Sequence, residues 1–169
     1  YPQEWTGGVA FTEYGIIAIG MGPGDLEWGI RALRHELTHL VIHATVFSPY
    51  GDLPTWLDEG LAMHNEGGAS ATFEAMLENA VQNDRLLSLR TLSGPFSSDP
   101  NKAYLSYAES HSVVEYLLAR YGSEKMHDLL MAFKAGATID EALGNTYEIR
   151  LDELEADWRA SVQQEYARA

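Results

Sequence analysis

Apolar positions in this chain follow two periods, and the switch between them divides it. Residues 9–12 and 16–19 are short β-branched or apolar runs separated by Glu13-Tyr14-Gly15, the pattern of a hairpin or of two edge strands. Met21-Gly22-Pro23-Gly24 breaks the chain, and Asp25 is placed to cap the next segment. Leu26, Ile30, Leu33, Leu37 and Val41 then step by four, three, four and four, forming one apolar stripe at helical period. His35 and His39 lie on the same segment but outside the stripe. Residues 48–52 read as a loop, and Pro54 suits the first turn of a second helix.

Helical patterning dominates the remainder. Ser70 opens an amphipathic segment with Phe73, Met76, Leu77 and Val81 apolar. Residues 84–102, broken by Gly94-Pro95 and Asp99-Pro100, read as a long loop with one short helix. A strong helix is expected over 103–121 with a stop at Gly122; Ser123 caps the next, which ends at Gly136. Thr138 and Glu141 have the spacing of a capping box. A last helix near 152–166 is expected to bury Leu151, Leu154 and Trp158. A small N-terminal sheet followed by many helices predicts an α+β, mostly α-helical fold. One domain is expected over 1–169, with the strands and first helix in 1–50 and a helical subdomain in 51–169. A lone two-stranded hairpin is marginal in water, so further strands and a covering helix are expected upstream of Tyr1.

Composition removes several classes of function. With 11 Lys+Arg against 25 Asp+Glu the formal charge is −14, and such a surface repels phosphate backbones, so nucleic acid is not an expected partner. The absence of cysteine excludes thiol nucleophiles, disulfides and cysteine-ligated metal. No apolar run reaches the roughly 18 residues of a membrane span. No signal peptide is visible, and a first residue of Tyr fits a processed or excised piece.

The chemistry concentrates at His35-Glu36-Leu37-Thr38-His39, an HExxH motif on the first predicted helix. Imidazoles four residues apart lie about 40° from each other around a helix and roughly 6 Å apart along it. Both then reach one zinc ion, and a carboxylate from a second helix completes a three-ligand catalytic site with room for water. Glu36 points about 100° away, beside the metal, where it serves as a proton acceptor. On spacing alone Asp52, Asp58, Glu59 and Glu66 all compete for the third position. His43 continues the series, but it lies about 12 Å along the helix from His35, too far to share one tetrahedral ion with it. His43, His64 and His127 therefore read as structural or supporting residues. The longer HExxHxxGxxH pattern is excluded by Ile42 and Thr45.

Taken together these residues resemble the gluzincin zinc peptidases, especially the peptidase MA-like group and the aminopeptidase N-type enzymes. Trp56-Leu57-Asp58-Glu59-Gly60-Leu61-Ala62 looks like the family's WLNEGFA, and the resemblance makes Glu59 the third ligand beside His35 and His39. Asp58 replaces the family's Asn, and the spacing from His39 is one residue longer than in the aminopeptidases. The segment from Tyr107 to Tyr116 is similar to YEKGxxVIRM, which implies that Tyr107 stabilises the oxyanion. His111, one turn away, is the competing donor, and Tyr104 is a third choice. Residues 151–159 also look like the end of such domains. The resemblance covers about residues 8–160 and implies a zincin-like fold, one Zn²⁺ per chain, peptide or protein substrates, and a bacterial envelope or secreted setting.

One departure bears on the mode of cleavage. The aminopeptidases hold the substrate's free amine with the glutamate of a GxMEN strand, and residues 9–15 put Thr12 at that place, with Glu13 one residue on. An endopeptidase is therefore expected rather than an aminopeptidase. Three other readings compete: a metal-stapled module that binds peptides without cleaving them, a zinc hydrolase of a non-peptide bond, and a purely helical interaction domain. Glu36, useless to a structural staple, speaks against the first.

Overall fold

A computed structural model describes residues 8–49 and 53–167; Tyr50, Gly51 and Asp52 of the expected loop lie outside the described residues. The N-terminal runs form β1 (Gly8–Phe11) and β2 (Ile16–Ile19), antiparallel, with Phe11 opposite Ile16 and Gly8 opposite Ile19. The Tyr14 amide closes the turn on the Phe11 carbonyl at 2.9 Å. Among the described residues the sheet has these two strands, and it packs on α1 (Leu26–Val46).

The helical part comprises α2 (Thr55–Glu66), α3 (Ala71–Gln82), the short α4 (Leu89–Leu92), α5 (Pro100–Lys134), α6 (Ile139–Tyr147) and α7 (Leu151–Tyr166). The protein is thus α+β and mostly helical. Their ends follow from local chemistry. The Asp99 carboxylate caps α5 by accepting the Asn101 and Lys102 amides, and Thr138 with Glu141 forms the expected capping box. Asp25 departs from expectation. It stands at the N-cap position of α1, but its carboxylate accepts the Gly22 amide at 3.2 Å instead of capping the first turn. The stop expected at Gly122 is a kink within α5, where Gly122 takes φ 82° and ψ 170°, a backbone state that disfavours a side chain.

The orientation of α1 differs from what its apolar stripe suggests. Leu26, Ile30, Leu33, Leu37 and Val41 are 44% to 66% exposed. Glu36, Thr38, Ile42 and Val46 are buried instead, because α1 turns its histidine-bearing face toward α2 and α5. The hydrophobic core lies among the later helices, with Trp56 and Leu57 of α2, Val113 and Leu117 of α5, Leu143 of α6, and Leu154 and Trp158 of α7 all at 0% exposure. The Trp158 indole also donates to the Ser112 hydroxyl at 3.0 Å, tying α7 to α5.

Buried and half-buried polar groups pin residues 86–89 to this core. The Leu87 amide donates to both Glu109 carboxylate oxygens at 3.0 and 3.2 Å. Arg159 donates to the Leu86 and Leu87 carbonyls, and Glu155 accepts the Leu89 amide. Burial pushes the Glu109 pKa up to about 8, against the pull of the Leu87 amide and Arg159.

Close contact between α2 and α5 depends on Gly60. A Cβ there would lie 2.4 Å from the Ser110 carbonyl oxygen and 2.5 Å from Val114 Cγ2. A backbone carbonyl inside a helix cannot step aside. Gly60→Ala is therefore expected to destabilise the protein by about 3 kcal/mol, a Tm fall of about 10 °C. Gly144 of α6, whose added Cβ would meet nothing within 4 Å, supplies the control. Gly144→Ala should not lower Tm, and equal losses in the two variants would refute the argument from contact.

Candidate metal centre

Two helices build the centre. On α1 the four-residue spacing sets the His35 and His39 rings side by side, with centroids 4.9 Å apart. On α2 the second turn directs Glu59 between them, its Oε2 3.4 Å from His35 Nε2 and 3.6 Å from His39 Nε2. One ligand atom from each of the three residues falls within 4.8 Å of the others. Atoms bound tetrahedrally at 2.0–2.1 Å stand about 3.3 Å apart, close to the two measured separations. The Glu59 Oε2 atom is also buried with no hydrogen-bond partner, a costly state for a carboxylate unless a cation satisfies it.

The other side of each imidazole is occupied. His35 Nδ1 lies 2.8 Å from Glu66 Oε2, and Glu66 Oε1 accepts from Arg31 at 3.0 Å. His39 Nδ1 lies 3.0 Å from Asp58 Oδ1, while Asp58 Oδ2 lies 2.9 Å from His43 Nε2. Carboxylates on both Nδ1 atoms favour protons there and turn both Nε2 atoms toward Glu59, the arrangement usual around metal-bound histidines. His39, His43 and Asp58 form a second group of possible ligands. Both Asp58 oxygens there already meet a histidine nitrogen, at 3.0 and 2.9 Å, so this group lacks the orphaned oxygen that marks the first.

Electrostatics agree with this division. Burial opposes charge on His35, yet the Glu59 and Glu66 carboxylates hold its pKa up at about 9. Burial likewise opposes charge on His39, and Asp58 and Glu59 hold its pKa at about 10. Such imidazoles in concentrated negative potential suit a bound cation as well as a proton. Burial works against ionising Asp58, but His39 and His43 keep its carboxyl far below the usual range.

Glu36 stands apart from the three. It is 6% exposed, and burial pushes its carboxyl above the usual range while His35 and His39 pull it back. The β1 strand lies directly against it. The Ala10 amide donates to the Glu36 carboxylate, and a Cβ at Gly8 would sit 3.1 Å from Glu36 Oε1. Tyr107 of α5 lines the same cleft, its ring edge-on to Phe96 with centroids 5.2 Å apart. Burial, then the Glu59 and Glu36 charges, push its phenol further above the ordinary tyrosine value, so it remains an O–H donor at any physiological pH. Thr12 also borders the cleft, which encloses about 400 Å³. Glu13 lies exposed in the hairpin turn.

The structure does not bring His111 to this centre. Its ring lines a different cavity with Glu74 and Glu115, and its Nε2 faces Glu115 at 3.4 Å. Tyr107 and His111 share a face of α5, but one turn displaces His111 about 6 Å along the axis, where its cavity is walled by α3 and α7. His64 pairs with the same Glu115, and His127 is exposed on α5. Tyr104 borders a neighbouring cavity beside Phe73. Asp52, one of the competing acids, lies outside the described residues. Glu66, another competitor, instead holds the far side of His35. Sequence reasoning misses its link to Arg31, although two signals point to it: Arg31 precedes His35 by one turn, and Glu66 follows Glu59 by two. Glu66→Gln is expected to weaken zinc binding about 10–100-fold, read by competition with a calibrated chelator. Unchanged affinity would show that the Arg31–Glu66–His35 chain does not orient the imidazole.

Comparison with known proteins gives one finding. The family model described as Peptidase MA superfamily matches residues 1–164. No curated protein matches, and no solved structure does either. A metallopeptidase-like function is what that family suggests. With a match over nearly its whole length, the chain belongs to the Peptidase MA superfamily.

Proposed function

We propose that this protein is a zinc-dependent metallopeptidase that cleaves within peptide chains, with His35, His39 and Glu59 as the metal ligands. The observation that carries this reading is the buried, unpartnered Glu59 Oε2 facing two Nε2 atoms whose rings are fixed from behind by Glu66 and Asp58. A zinc ion held there supplies Lewis acidity and makes water a nucleophile near neutral pH.

The chain's own groups carry the remaining steps. Glu36 takes a proton from the attacking water and returns it to the departing amine, helped by burial that raises its pKa above the usual carboxylate value. Tyr107 donates its O–H to the carbonyl oxygen as negative charge develops. The β1 strand, lying against Glu36, offers main-chain groups to an extended peptide. Thr12 beside the cleft, with Glu13 exposed, supplies no carboxylate to hold a free amine, which supports internal cleavage over release of single N-terminal residues.

Mass-spectrometric profiling of a mixed library of blocked and unblocked peptides tests the reading. Cleavage of blocked peptides that stops with a chelator and returns with zinc is expected. Cleavage of unblocked peptides alone would favour an aminopeptidase, and no tightly held metal would refute the metal centre. Tyr107→Phe should lower kcat about a hundredfold with little change in KM. No change in kcat would remove Tyr107 from the chemistry.

A further inference from the structure

A second cavity, of about 640 Å³, opens beside the metal cleft along the N-terminal half of α1. It shares His35, Glu36 and Tyr107 with that cleft, so a group filling it lies next to the reacting centre. Its volume is within the range of small-ligand sites. The walls come from three helices: Trp28 of α1, Phe73 of α3 and Tyr104 of α5, with buried Met63 of α2 beneath.

Two properties define what fits there. Aromatic side chains at helical spacing usually serve a core, but Trp28 is 41% exposed and Tyr104 39%. Phe73 and Tyr104 meet at a 60° tilt with centroids 5.8 Å apart, and the cavity is bounded by their rings. The second property is charge. Arg31 lines the cavity, but its Nη2 donates to Glu66 Oε1 and to the Gly68 carbonyl, both at 3.0 Å, so its charge is already matched. Asp25 and Glu27 add two more carboxylates to the wall. An acidic side chain would therefore meet repulsion, while a flat apolar one would cover exposed ring surface.

We infer that this cavity is the specificity pocket, and that it selects a bulky aromatic side chain on the residue flanking the scissile bond. The inference rests on the peptidase reading and adds the substrate class to it. Burying an aromatic group against these rings is favourable.

The test compares blocked peptides that differ only at that flanking residue, carrying Phe, Leu, Ala, Asp or Lys. The kcat/KM for Phe should exceed that for Ala by about a hundredfold, with Asp lowest. Trp28→Ala should cut the Phe value about tenfold and leave the Ala value within about twofold, while Trp28→Phe restores the preference. A second arm measures binding of the same peptides to the Glu36→Gln variant by titration calorimetry, where Phe should again bind more tightly than Ala. Cleavage with equal kcat/KM across the series, or with Lys preferred over Phe, would overturn the pocket while the peptidase reading stands. No cleavage of any peptide would count against the peptidase reading, and the binding arm would still decide the pocket: equal affinities for Phe and Ala peptides overturn it.

Discussion

Glu36→Gln is expected to lower turnover on any cleaved peptide by about a thousandfold while leaving zinc content and fold unchanged. The expectation comes from where Glu36 stands. It is buried against β1, with the Ala10 amide on its carboxylate and Gly8 packed at its side. It contributes no atom to the His35, His39 and Glu59 group. An amide oxygen can still accept the Ala10 hydrogen bond, so the variant keeps its shape and loses only the capacity to take up a proton. Elemental analysis, Tm and kcat measured on one preparation separate these properties. Normal turnover at full zinc occupancy would refute Glu36 as the proton carrier. Lost zinc would show instead that it supports the metal.

Glu59→Ala is expected to have the largest effect on metal binding. Removing an outer carboxylate such as Glu66 costs about 10–100-fold in affinity, and removing a ligand should cost more. The most direct reading is thermal. A cation that binds only the folded state at a thousand times its Kd adds about 4 kcal/mol of stability. Zinc should therefore raise the Tm of the wild-type protein by several degrees and leave that of Glu59→Ala nearly unmoved at the same concentration. An equal zinc-induced rise in both would place the ion elsewhere, with His39, His43 and Asp58 the next group to test.

The separate parts of this structure are legible in the sequence to different degrees, for reasons that are physical. The hairpin, the two halves of α5 either side of Gly122, and the Thr138–Glu141 cap are readable because each depends on residues within a few positions of one another. The same holds for the pairing of His35 with His39, which helical geometry alone enforces. The stripe on α1 misleads for the opposite reason. Periodicity shows that a helix has an apolar face, but not which face its neighbours take, and here the polar face meets α2 and α5. His111 shows the same limit: four residues from Tyr107 on one helix, it nonetheless lines a separate cavity.

What the residues determined on their own was the inventory of a metallopeptidase-like chain: an HExxH helix, a later WLDEG segment, and a mostly helical frame without cysteine. Tertiary structure alone decided which acid faces which imidazole nitrogen. The distance between α1 and α2 is set by packing, including the close approach that Gly60 permits against α5, and no local pattern encodes it. That packing puts Glu59 between the Nε2 atoms and sends Asp58 and Glu66 to the Nδ1 atoms. Three carboxylates of one helix thereby acquire different surroundings, because chemical role depends on angstrom-scale position that only the assembled helices supply.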